Sequence, residues 1–73
     1  MTLRAVVLVK SPRTLIADRV KKVAGVKDAF DTAGRFDCIV LAEVAKLADV
    51  KSLAMEIQKI EGVRRTETLV QPE

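Results

Sequence analysis

Apolar residues fall in short groups along the chain, and their spacing changes from group to group. Leu3 to Val9 (LRAVVLV) is rich in valine and too short for a helix, which predicts a strand ending at Lys10-Ser11-Pro12. Ser11 is placed to cap a helix and Pro12 to open it, because a residue before proline favours the extended backbone of a cap. Leu15, Ile16, Val20 and Val23 then form one stripe, with Arg13, Asp18, Arg19, Lys21 and Lys22 on the wet side, predicting a helix to about Ala24. Gly25 supplies the left-handed stop. Val26 to about Thr32 reads as a second strand, Ala33, Gly34 and Arg35 as a tight connection, and Phe36 to Val44 as a third strand, the most apolar of all. After a link at Ala45 to Ala48, Asp49 is expected to cap a second helix to about Ile60, with Val50, Leu53, Ala54, Ile57 and Ile60 at helical spacing. Gly62 ends it, and Val63 to Val70 is the last strand.

The order is βαββαβ, two strand–helix–strand halves joined at Ala33 to Arg35. Right-handed crossovers of this length build a four-stranded antiparallel sheet with both helices on one face, the ferredoxin-like α+β sandwich. Strands one and three are apolar on both faces: Leu3, Ala5, Val7 and Val9 oppose Val6 and Leu8, and Cys38, Val40 and Ala42 oppose Ile39 and Leu41. Two helices cover one face only, and the other would expose an apolar patch of several hundred Å², more than monomers usually tolerate. A symmetric partner laying its sheet against this one solves the problem. Val7, Val9, Cys38, Val40 and Ala42 are assigned to that face-to-face dimer contact.

Composition narrows the function. The 73 residues make one domain, and a chain of this size buries only about 60 % of its unfolded surface. Packing falls to aliphatic side chains, since only two residues are aromatic, both phenylalanine. The single cysteine, Cys38, excludes an intramolecular disulfide and suits a reducing cytoplasm. No apolar run approaches a membrane span, and the start lacks a targeting pattern, so a cytoplasmic protein is expected. The net charge of +3 comes from 13 basic and 10 acidic residues interspersed along the chain, without the basic patch or stacking aromatics of a nucleic-acid binder.

Catalytic chemistry is poorly provided for. There is no histidine, and a lone cysteine in an apolar strand is packing rather than a nucleophile. Asp28, Asp31 and Asp37 have no metal-loop or acid/base spacing, Gly34 lacks the partner glycines of a phosphate cradle, and Lys10, Arg13, Lys21 and Lys22 read as a solvated face. No cofactor or metal is expected. Two features depart from background. Asp37 is an acid entering the greasiest strand just after the Gly34 turn, where it either caps backbone N–H groups or meets a ligand. Thr66 and Thr68 alternate around Glu67 on the last strand, which ordinary strand propensity also explains.

The sequence Gly34-Arg35-Phe36-Asp37, together with Ile60-Glu61-Gly62-Val63 leading into Thr66-Glu67-Thr68, resembles the C-terminal effector-binding (RAM) module of the Lrp/AsnC family of feast/famine regulators. The likeness runs from Leu3 to Val70. It implies dimers that pack sheet on sheet and assemble into rings, commonly octamers, with amino-acid effectors held between dimers near the glycine turn. Carried onto this chain, the site residues are Gly34, Arg35 and Asp37, with Thr66 and Thr68 as further candidates. A turn amide can hold a carboxylate and an aspartate an ammonium. The family's helix-turn-helix domain has no counterpart before the first strand, so a stand-alone module is expected, acting through partners such as full-length regulators without binding DNA itself. The turn, Thr32-Ala33-Gly34, is one residue looser than the usual Thr-Gly or Tyr-Gly.

An amino-acid-binding and oligomerisation module, not an enzyme, is the leading expectation. A dimeric α/β-barrel enzyme would also pair such sheets, but it usually places histidines or aromatics in its cavity. A purely structural oligomerisation module would assemble regardless of metabolites. An ACT domain shares the element order, yet its sheets join side by side and would leave the apolar second face uncovered.

Overall fold

The structure is a computed structural model that describes residues 2–12 and 16–71. It contains β1 (Leu3–Lys10), α1 (Ala17–Val20), β2 (Val26–Asp31), β3 (Cys38–Val44), α2 (Leu47–Gln58) and β4 (Arg65–Val70). The strands form one antiparallel sheet in the order β2-β3-β1-β4, and the two helices pack on one face of it, α1 over β2 and β3 and α2 over β1, β3 and β4. This is the ferredoxin-like α+β arrangement that the pattern predicts.

The register decides which face is which. Val7 stands opposite Val40 and Thr68, Val9 opposite Cys38 and Thr66, and Ala5 opposite Ala42. Directly opposed residues share a face of an antiparallel sheet. That face, joined by Ala29, lies beneath Ile16, Ala17, Val20, Leu53 and Ile57, and these residues make the core. The assignment of Val7, Val9, Cys38, Val40 and Ala42 to a partner's sheet is therefore corrected, because all five are at most 3 % exposed under the chain's own helices. The residues turned outward are the alternate set: Val6 opposite Leu41 and Leu69, and Leu8 opposite Ile39, which in turn faces Phe30. Phe30 (47 %), Leu41 (38 %) and Leu69 (53 %) are the exposed large members of this outward surface. Both faces of the central strands are apolar, as the sequence pattern indicates, but the face left open is the Val6, Leu8, Ile39 and Leu41 side.

Several boundaries shift for local reasons. The first helix is one turn, Ala17–Val20, its N-cap is Ile16, and no side chain of the cap residue bonds to it. Ser11 is buried beside β1, its N–H donated to Asp37 Oδ2 (2.8 Å); the helix start expected from Ser11 and Pro12 falls on residues 13–15, Arg13 and Leu15 among them, which lie outside the described residues. Beyond Lys21 the chain continues in tight turns, Lys22 N–H to Arg19 O and Val23 N–H to Val20 O, which keep Val23 packed on the core as the chain bends into β2. The third strand begins at Cys38, and Phe36 and Asp37 belong to the connection before it. α2 starts two residues before Asp49, which sits in the first turn and donates its N–H to Lys46 O; there a carboxylate favours the helix through the dipole and not as a cap. The final strand starts at Arg65, since Val63 first closes a turn onto Ile60 O. Among the described residues no helix is long and apolar enough to cross a membrane.

Gly25 has the expected positive φ, +95°, but α1 already ends at Val20, and the glycine stands instead in the turn that leads into β2. A Cβ there would approach Val44 Cγ1 to 3.1 Å and Leu53 Cδ1 to 3.3 Å. Gly25→Ala combines backbone strain with overpacking and is expected to destabilise the fold by about 1–3 kcal/mol, read as a lower urea midpoint at unchanged slope.

Burial pushes the Cys38 thiol up to about 11, and the charge of nearby Asp31 pushes the same way. The folded state therefore keeps its proton after the unfolded chain has begun to release it. The stability tied to that proton is whole below the ordinary thiol range and is lost as the pH climbs through about 11. Urea midpoints measured across that alkaline window should fall more steeply for the native chain than for Cys38→Ala, and equal slopes would contradict the assignment.

Candidate functional site

Of the predicted site residues, Gly34, Arg35, Asp37 and Thr66 lie at one end of the sheet, where β1 and β2 finish and β3 and β4 begin, and Thr68 does not. Thr32 donates its N–H to Asp37 O (2.8 Å) and its Oγ1 hydrogen to Phe36 O (2.9 Å), so the loop from Thr32 to Asp37 closes on itself. The loop is then tied to β1. Asp37 donates its N–H to Val9 O (2.8 Å), and its carboxylate accepts from Ser11 N–H and lies 3.6 Å from Lys10 Nζ. Asp37 is thus a backbone-capping carboxylate, but the N–H it accepts comes from the neighbouring strand and not from its own turn. Lys10, read in the sequence as part of a solvated face, is its charge partner.

Gly34 and Arg35 form the exposed tip of this loop. Gly34 has φ +131°, and apart from its chain neighbours no heavy atom lies within 4 Å of where a Cβ would stand. Its backbone is open to an incoming group. Thr66 and Thr68 are placed differently. Their register partners Val9 and Val7 face the helices, so both threonines lie on the helix side of β4. Thr66 Oγ1 accepts a hydrogen bond from Gln58 Nε2 (2.8 Å), which docks the end of α2 on the edge strand. Thr66 is level with the loop, and Thr68 is two residues farther along the sheet.

Two groups at this end escaped the sequence reading. Asp31 Oδ1, on the last residue of β2, accepts from the N–H groups of Ile16 (3.1 Å) and Ala17 (3.3 Å) and so caps α1 from across the fold. Arg65, the first residue of β4, places its guanidinium carbon 6.0 Å from the ring centroid of Phe36. The scarcity of aromatics was the available signal for Phe36; nothing in the spacing pointed to Arg65 or Asp31.

No group of His, Cys, Asp or Glu suited to a metal ion occurs among the described residues. Recesses lie away from the loop. One of about 410 Å³ on the outward sheet face touches Arg4, Val6, Lys27, Leu41 and Glu43, and one of about 450 Å³ between the helices touches Arg19, Lys22, Val23, Lys59 and Ile60. The loop end itself is an exposed ledge carrying charged side chains and the open Gly34.

Against known proteins, a family model described as the Lrp/AsnC ligand binding domain matches residues 4–71. The HTH-type transcriptional regulator LysM of Saccharolobus solfataricus is 28% identical over 72 residues, covering 93% of this chain and 51% of that protein, so the chain spans about half the length of this relative. The crystal structure of FFRP-DM1 superposes with a TM-score of 0.79 at 23% identity, covering 99% of this chain and 100% of that one. The feast or famine regulatory protein of M. tuberculosis, solved in complex with L-methionine, gives a TM-score of 0.79 at 21% identity, covering 97% of this chain and 50% of that one. At these identities the structural likeness is one of fold.

Removing the carboxylate at position 31 leaves the Ile16 and Ala17 N–H groups without their acceptor. Asp31→Ala should cost about 1 kcal/mol in urea unfolding and speed amide exchange at those two residues ahead of the sheet.

Proposed function

Since the chain belongs to the Lrp/AsnC ligand binding domain family, we propose that it is an amino-acid-binding oligomerisation module that regulates transcription or amino-acid metabolism through assembly, performing no reaction of its own. The observation that carries this reading is the loop from Thr32 to Asp37, which is bound to β1 by Asp37 while Gly34 stays open at its tip. A rigid loop with an unhindered glycine offers backbone N–H groups to a carboxylate at little ordering cost. The M. tuberculosis protein of the same fold, solved with L-methionine, supports a free amino acid as the class of effector.

In this reading Gly34 and Arg35 meet the ligand directly. Asp37, already engaged by Ser11 and Lys10, holds the loop in place and offers its remaining lone pairs to an ammonium group. Thr66 and Thr68 are the less direct candidates, because they face the helix side and Thr66 is occupied by Gln58.

A second copy of the chain is the proposed cover for the outward sheet face. Val6, Leu8, Phe30, Ile39, Leu41 and Leu69 form its apolar middle, with charged residues such as Arg4, Lys27 and Glu43 at one end. Dimers of this kind would join into a ring such as an octamer, and an effector lodged on the ledge between dimers would bind the assembled form better than its parts. Linkage then shifts the assembly, by about 2.7 kcal/mol at a ligand concentration a hundred times its Kd. In this reading the module works in the cytoplasm through full-length regulators of the family and does not itself contact DNA.

Light scattering after size exclusion, with and without each proteinogenic amino acid, tests the proposal. A mass of at least a dimer that changes with one amino acid is expected, and Leu41→Asp should reduce it to a folded monomer. A large assembly indifferent to every amino acid would leave a structural oligomerisation module. Turnover of a substrate by the protein alone would leave an enzyme.

A further inference from the structure

We propose that Arg65, held against the ring of Phe36, is the side chain that receives the carboxylate of the effector; this inference rests on the amino-acid reading above. The charge at the loop end is unbalanced. Lys10, Arg35, Arg64 and Arg65 all issue from it, since Arg64 donates its N–H to Lys10 O (2.8 Å) and Arg65 stands opposite Lys10 in the ladder. The two carboxylates nearby are committed elsewhere, Asp37 to Ser11 N–H and Lys10, and Asp31 to the start of α1. Glu67 shares the outward face of β4 with Arg65 but forms no ion pair with it.

Arg65 therefore has a flat aromatic support and no carboxylate partner among the described residues. A guanidinium lying over a ring at this distance keeps N–H groups available to a carboxylate. The ring also favours that placement of the side chain before the ligand arrives, which reduces the ordering cost of binding. Phe36 is a residue of the closed loop whose tip is Gly34, so the support and the open turn move as one piece. Arg35, at the exposed tip, has no such support.

Calorimetric titration of the oligomeric protein with the proteinogenic amino acids, each as free acid and as its carboxamide, tests the assignment. The native protein should prefer the acid of its effector over the amide by roughly 10- to 100-fold, the loss expected for one charge-assisted pair. Arg65→Gln should weaken the acid by a similar factor, leave the amide where it was, and so erase the preference. Phe36→Leu should weaken the acid while retaining part of the preference. Circular dichroism and the oligomer mass show that each variant is folded. If Arg65→Gln binds the acid as the native protein does, Arg65 is not the anchor, although the effector reading survives. If the native protein binds no amino acid in either form, both fall.

Discussion

Everything in this fold depends on the central pair of strands being apolar on both sides. β1 lies between β3 and β4, and β3 between β1 and β2, and both carry apolar residues on each face. The helices cover Ala5, Val7, Val9, Cys38, Val40 and Ala42, which gives a domain of this size its core. The same strands leave Val6, Leu8, Ile39 and Leu41 on the far side with only their neighbours on β2 and β4 to shield them. Among the described residues no third layer covers that side, so the fold and the cover proposed for its outward face answer one problem, the disposal of apolar surface.

Two carboxylates do the comparable work for polar groups. Asp31 and Asp37 end and follow β2 and precede β3, and each reaches across the fold to backbone N–H groups that regular structure leaves without partners. One secures the start of a single-turn helix; the other fastens a loop to the central strand. A buried N–H without an acceptor is costly, so these bonds fix the geometry of the loop end more firmly than its surface position suggests. The function proposed for this end uses what they leave over: an open glycine, and cations that exceed the free carboxylates.

The fold was readable from periodicity because each apolar group has a length and spacing that only one element satisfies. The positive φ at Gly25 was readable too, since it has few other occupants. Less was legible at the ends of elements. The first helix ends at Val20, short of Gly25, and α2 begins ahead of Asp49, which looks like a cap by local rules. Local end signals are weak, about 1 kcal/mol each, and tertiary packing of similar strength overrides them.

Order of elements, sheet composition and the need for a cover on a second face followed from the sequence by itself, because they depend on residues within one strand or helix. Which face is covered did not follow. Alternation along a strand separates Val7 from Leu8 but does not say which set lies under the helices, and the two sets are almost equally apolar. Only the crossover geometry, which places α1 and α2 above the Val7 and Val40 side, makes that choice. The pairing of Arg65 with Phe36 and the reach of Asp31 to α1 likewise join residues far apart in the chain, and spacing carries no information about them.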